Sequence, residues 1–129
     1  MKYLALLLLP LLASAHELRL NESRLLYAIA AVESGANDAA LGPCGEISRY
    51  QMMPATWQAY SLFPVSRAHD PIIAEAAALA YIRSIKAEVR SESPYIIALA
   101  WTQGPNARGF SRAKHDHAKR VENLYFDTK

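Results

Sequence analysis

Leu25-Leu26-Tyr27-Ala28-Ile29-Ala30-Ala31-Val32-Glu33-Ser34-Gly35 is the stretch on which the reading of this chain turns. Leu25, Leu26, Ile29 and Val32 recur at three- and four-residue spacing, which is one apolar face of a helix. Asn21 and Ser23 are both suited to cap its start, and Gly35 supplies the stop. Glu33 closes this nearly all-apolar run. Two effects disfavour a charge there: the negative end of the helix dipole and desolvation by apolar neighbours. A carboxylic acid held protonated in this way can do acid chemistry near neutral pH.

Outward from this helix the chain reads as helical almost throughout, with no period-two alternation long enough for a strand. Residues 36–53 are loop-like, with a tight turn at Gly42-Pro43-Cys44-Gly45. Pro54 suits the first turn of a short helix over 54–60. Asp70-Pro71 and Ser93-Pro94 each place an N-cap before a proline, opening a long Ala-rich helix to about Arg90 and another through Ala100. Gly104-Pro105 ends the latter, and a last helix covers roughly 112–125. The spacing predicts no internal repeat and no second domain.

Length and composition agree with one domain, because 129 residues are enough for a single packed core. The chain opens with Lys2, an apolar run from Leu4 to Leu12, and Ala13-Ser14-Ala15. That is the pattern of a cleavable secretory leader over 1–15, which would leave 16–129 as the mature domain. The run is too short to span a bilayer comfortably, so no stable membrane insertion is expected after cleavage. Loss of the leader takes only Lys2 from the 14 basic residues, leaving them nearly balanced by 12 acidic ones. Nucleic-acid binding needs clustered positive charge and is not expected. Cys44 is the single cysteine, so no internal disulfide can form, and it reads as a small residue in a tight loop.

Three blocks and the tail carry a family resemblance. The first is Glu33-Ser34-Gly35 with Asn37 and Ala40; the second runs from Gly45 through Gln51 to Met53, Pro54 and Thr56. The third is Ala98-Leu99-Ala100-Trp101-Thr102-Gln103-Gly104-Pro105, and the tail runs from His117 to Tyr125. In this order and spacing they resemble the catalytic domain of the lytic transglycosylases of the lysozyme superfamily. The resemblance implies an all-α, lysozyme-like single domain with a glycan-binding cleft. It also implies cleavage of the β-1,4 bond between N-acetylmuramic acid and N-acetylglucosamine in peptidoglycan, leaving 1,6-anhydro-muramic acid ends. Glu33 would be the lone general acid and then base, with no metal and no cofactor.

By the same resemblance Gln51 would hydrogen-bond substrate and orient Glu33, and Ser34 could touch the catalytic carboxyl. Tyr50 and Met52 would line the cleft, while Trp57 reads as core. Trp101 stands where the family carries Tyr, and Thr102 where it carries Asn. A Trp face can stack on a sugar, a Thr hydroxyl replaces part of an amide's bonding, and Gln103 could supply the missing amide. His117 falls where many members place a Tyr near the catalytic Glu, and Ser48 replaces a second family Gly. His115-Asp116-His117 suggests a metal site, but residues two apart on a helix do not converge.

Two other functions are consistent with these residues. One is a lysozyme-type hydrolase, for which Asp38, Glu46 and Asp116 are the nearby acids that could activate water. The other is a non-catalytic murein-binding protein of the envelope. In either case the partners are peptidoglycan strands outside the cytoplasm, periplasmic or extracellular. Targeting would come from the cleft itself or from an envelope or secretion-apparatus partner.

Overall fold

A computed structural model describes residues 19–104 and 109–127. The expected leader over 1–15 and Pro105 lie outside the described residues. Five α-helices occur among them: α1 Glu22–Ser34, α2 Pro54–Tyr60, α3 Pro71–Val89, α4 Pro94–Gln103 and α5 Arg112–Asp127. A single 3-10 turn, Val65–Arg67, joins α2 to α3. Pairing of β type is limited, among the described residues, to the isolated antiparallel bridges Leu41↔Ile47 and Ile47↔Met52.

The helix limits follow from local chemistry. The Asn21 side chain accepts the Arg24 N–H at 3.0 Å to open α1. Gly35 takes the left-handed conformation (φ 65°) to close it. The Gly35 and Ala36 N–H groups then return to the carbonyls of Ala31 and Ala30, both at 3.0 Å. Asp70 accepts from Ile72 and Ile73, and Ser93 from Ile96, each just ahead of a proline at the helix start.

Helix α4 forms the centre of the core. Its Ile97, Ala98, Leu99, Ala100 and Trp101 are all buried, as expected for a helix that is apolar on every side. It packs on α5 and α3, and α1 packs on the same two helices. Small residues let the helices approach: Ala74, Ala77 and Ala78 of α3 are buried beside Ile82 and Ile85. On α5 the buried positions Ala118, Val121 and Tyr125 recur at helical spacing. The Tyr125 hydroxyl accepts the Asn21 N–H at 2.9 Å, tying the end of α5 to the start of α1.

A charged network closes the side of the bundle away from the loop. Glu22 on α1 meets Arg83 at 2.9 Å and Lys86 at 3.5 Å on α3, and Lys86 reaches Glu92 at 3.1 Å. The hydrogen bond from Arg83, with the charges of Arg83 and Lys86, holds the Glu22 carboxyl below its ordinary 4.5 despite partial desolvation. A carboxyl lowered by folding stabilises the native state above its unfolded value and stops doing so as pH falls through its folded value. The Glu22→Gln protein is therefore expected to be less stable than the parent at pH 7, by less than about 1 kcal/mol because Arg83 is well solvated. Denaturant midpoints of the two proteins should converge as pH is lowered below 4.5. A gap that widens on acidification would show that Glu22 is not stabilised as a carboxylate.

Candidate functional site

The ends of the helices, with loop 36–53, enclose an open cavity of about 600 Å³. Glu33 comes from the last turn of α1, Glu46, Gln51 and Met52 from the loop, and Thr56 from α2. Tyr81 comes from α3, Trp101 to Gly104 from the end of α4, and His117 from α5. The Glu33 side chain is only 17% exposed, and so is that of His117. His117 Nε2 lies 2.8 Å from Glu33 Oε1. The in-plane N–H direction of the ring misses that oxygen, leaving both ring nitrogens buried without an aligned hydrogen bond. The contact is thus a close approach of the two side chains without an aligned hydrogen bond.

The loop is held against α1 by side chains that the helix end presents to it. Ser34 Oγ donates to the Arg49 carbonyl at 2.7 Å and accepts the Asn37 N–H at 3.1 Å. Arg49 Nε meets Asp38 Oδ1 at 2.6 Å, which lowers the Asp38 carboxyl, chiefly through that hydrogen bond. Gln51 Nε2 donates to the carbonyls of Ser48 at 2.8 Å and Ala40 at 3.2 Å. Ser48 (φ 69°) and Gln51 (φ 51°) both sit in the left-handed region that non-glycine residues enter at a cost. Ser48 offsets some of this by accepting the Tyr50 N–H at 3.2 Å. The glycine that the family places at this point would take such a backbone without strain.

These contacts revise several expected roles. Ser34 does not line the cavity and does not meet the Glu33 carboxyl, because its hydroxyl is spent on the loop backbone. Tyr50 is likewise absent from the cavity wall: it is 3% exposed, with its ring in the core and its phenol pushed up mainly by burial. Gln51 lines the cavity but makes no hydrogen bond to Glu33, since both its N–H groups go to the loop. Met52 lies in the wall, nearly buried, and Trp57 is fully buried as expected of a core residue. Trp101 reaches the cavity with 7% of its surface and packs on Tyr81 at 4.9 Å between ring centres. Thr102 Oγ1 donates to the Leu99 carbonyl at 2.8 Å, while Gln103 is exposed at the rim.

Of the three acids named as possible water activators, only Glu46 lines the cavity. Asp38 is engaged by Arg49, and Asp116 is exposed on α5. His115 and His117 diverge as their spacing requires: His115 meets the Tyr95 hydroxyl, and His117 meets Glu33. Tyr81 is among the cavity residues to which sequence reasoning gave no cleft role, as are Pro43 and Met53; Tyr81 is the aromatic one. It sits inside an Ala-rich stretch, and its role depends on stacking between Tyr60 at 5.0 Å and Trp101. A lone aromatic on the helix face shared with Ala77 and Ala78 was the available signal.

The family model described as transglycosylase SLT domain matches residues 11–123. No curated protein matches the sequence. Among solved structures, the chain is similar to an inactive mutant of the lytic transglycosylase Slt from Pseudomonas aeruginosa, with a TM-score of 0.63 and 16% identity. That match covers 79% of this chain and 20% of the other, so this chain spans about a fifth of the length of Slt. At such identity the likeness concerns the fold.

Ser34→Ala removes the loop clip without touching the cavity wall. It should lower stability by about 1 kcal/mol, the usual net worth of a partly buried hydrogen bond. The check is the denaturation midpoint, together with faster amide exchange at Asn37. An unchanged midpoint with unchanged exchange would mean that the clip does not hold the loop.

Proposed function

The chain belongs to the transglycosylase SLT domain family, and we propose that it cleaves peptidoglycan glycan strands as a lytic transglycosylase, with Glu33 as the only acid and base. The observation that carries this reading is the Glu33 carboxyl, largely withdrawn from solvent, at the wall of an open cavity and in contact with an imidazole. Glu33 donates its proton to the glycosidic oxygen as the bond to the muramic acid C1 breaks. The leaving sugar departs with a new hydroxyl, and C1 gains oxocarbenium character. The 2-acetamido oxygen of the same sugar can stabilise that centre. The Glu33 carboxylate then takes the proton of the 6-hydroxyl as O6 bonds to C1. This closes the anhydro ring and returns Glu33 to its starting state. No water is consumed, and a general acid positioned in this way contributes about 10²–10⁴-fold.

His117 supports the reading as a positioning residue. Its ring limits where the Glu33 carboxyl can point, and a misplaced acid loses rate rather than affinity. Cleavage outside the cytoplasm is part of the proposal; among the described residues no helix is long and apolar enough to cross a membrane. A second reading, hydrolysis, is favoured by one observation only: Glu46 lies in the same cavity and could activate water.

Digestion of purified murein followed by mass spectrometry distinguishes these. Anhydro-muropeptides, one water lighter than reducing-end products, are the expected result; reducing ends alone would establish the hydrolase. Glu33→Gln should lower murein release at least about 100-fold. Equal, near-background release by parent and variant would instead point to a non-catalytic binding protein. His117→Ala should lower kcat about tenfold with little change in KM, and His117→Tyr should recover part of the loss. A change confined to KM would assign His117 to substrate binding.

A further inference from the structure

Glu46 is fixed in an unusual way for a cleft carboxylate. Its backbone carbonyl accepts the Gly42 N–H at 2.8 Å, and its Oε2 accepts the Cys44 N–H at 2.9 Å. The side chain is thereby folded back over Gly42. A Cβ on Gly42 would collide with Glu46 Oε2 and lie 2.7 Å from Gln51 Oε1. The space left by the missing side chain is therefore where the Glu46 carboxylate and the Gln51 carboxamide meet.

The orientation of that carboxamide is set by its neighbours. Ala40 and Ser48 present carbonyl oxygens, so the amide nitrogen must face them and the amide oxygen must face Gly42. A carboxylate and an amide oxygen thus adjoin with no donor between them, in the wall of the cavity that holds Glu33. No Lys, Arg or His forms an ion pair with Glu46 among the described residues. His117 faces Glu33, and Lys114 reaches the Thr102 carbonyl at 3.5 Å.

From this juxtaposition we infer that Glu46 and Gln51 Oε1 form an acceptor-only subsite that selects a primary ammonium group on the substrate. This rests on the reading of the cavity as a glycan cleft. A hydroxyl or an acetamide N–H brings one proton and no charge. An ammonium brings three donors, no acceptor and the charge that an unpaired carboxylate lacks. Carboxylates of peptide stems are repelled from the same place. Two parts of murein can carry the group: an amino sugar without its acetyl, and a free side-chain amine of a stem peptide.

Paired substrates separate the two sources. One pair is peptide-free glycan, partly de-N-acetylated or chemically re-acetylated. The other is fully acetylated murein with its stem amines free or blocked. The parent protein should favour the amine-bearing member of one pair about tenfold in kcat/KM, and that pair identifies the source. Glu46→Gln removes the charge, and Gly42→Ala displaces both oxygens while keeping it; each should bring the ratio close to one. A parent ratio near one on both pairs overturns the inference, as does an unaltered ratio in Glu46→Gln. So does a switch of product from reducing ends to anhydro ends in Glu46→Gln, which would place Glu46 on water instead.

Glu33→Gln protein provides a measurement free of turnover. Its Gln51 side-chain amide resonances should shift on titration with glucosamine at concentrations where N-acetylglucosamine has no effect. Equal responses to the two sugars would also defeat the inference. Continued murein cleavage by Glu33→Gln would defeat the catalytic reading of Glu33 separately, leaving the substrate ratios to judge Glu46.

Discussion

At the end of α1 the chain must stop and turn, and the Ser34 hydroxyl is the joint that ties the returning loop to the helix end. Gly35 provides the backbone conformation, but a left-handed glycine alone leaves the following residues free to leave the helix. Ser34 removes that freedom by gripping the Arg49 carbonyl on the returning strand of the loop and the Asn37 N–H on the outgoing one. Glu33 precedes this joint directly. Its side chain is therefore set by a rigid helix on one side and a clamped loop on the other, as the proposed proton transfer to one particular oxygen would require.

The loop itself is an exchange of side-chain for backbone bonding. It has only two isolated bridges, so the peptide groups that a sheet would pair are satisfied instead by Ser34, Ser48, Gln51 and Asn37. Gln51 contributes most, since its two donors join Ala40 to Ser48 across the loop. The consequence for chemistry is that the amide arrives at the cavity as an acceptor. A residue expected to donate to the catalytic carboxyl cannot do so while it holds the loop that frames that carboxyl.

Much of this was legible in the chain because it is local. Asn21, Asp70-Pro71, Ser93-Pro94, Gly35 and Gly104 each act within one turn of where they stand, and α1 and α4 begin and end, and α3 begins, where those residues place them. The all-α architecture followed from apolar spacing within single helices. What stayed hidden depends on partners far along the chain. Whether Tyr50 faces the cleft or the core, whether Ser34 meets Glu33 or Arg49, and whether Tyr81 joins the cavity are decided by packing between elements. Ser48 is intermediate. The sequence shows it in a family glycine's position, but its left-handed backbone and the hydroxyl that makes it tolerable became visible only with the Tyr50 N–H in place.

Likeness of fold at 16% identity does not decide how many carboxylates share the work. The geometry around Gly42 bears on that question. A base that activates water must be free to approach it and accept a proton. Glu46 instead has Oε2 tied to the Cys44 N–H and held at Gly42, where the Gln51 amide oxygen, with no proton to give, also lies. Such a pair is better matched to a donor-rich group than to a water molecule that must lose a proton there. Because Gln51 also clamps the loop beside Glu33, any displacement at Gly42 is transmitted to the frame of Glu33. On the proposed reading, recognition and proton transfer would be joined through one carboxamide, so that a single-acid mechanism could be selective without a second catalytic carboxylate.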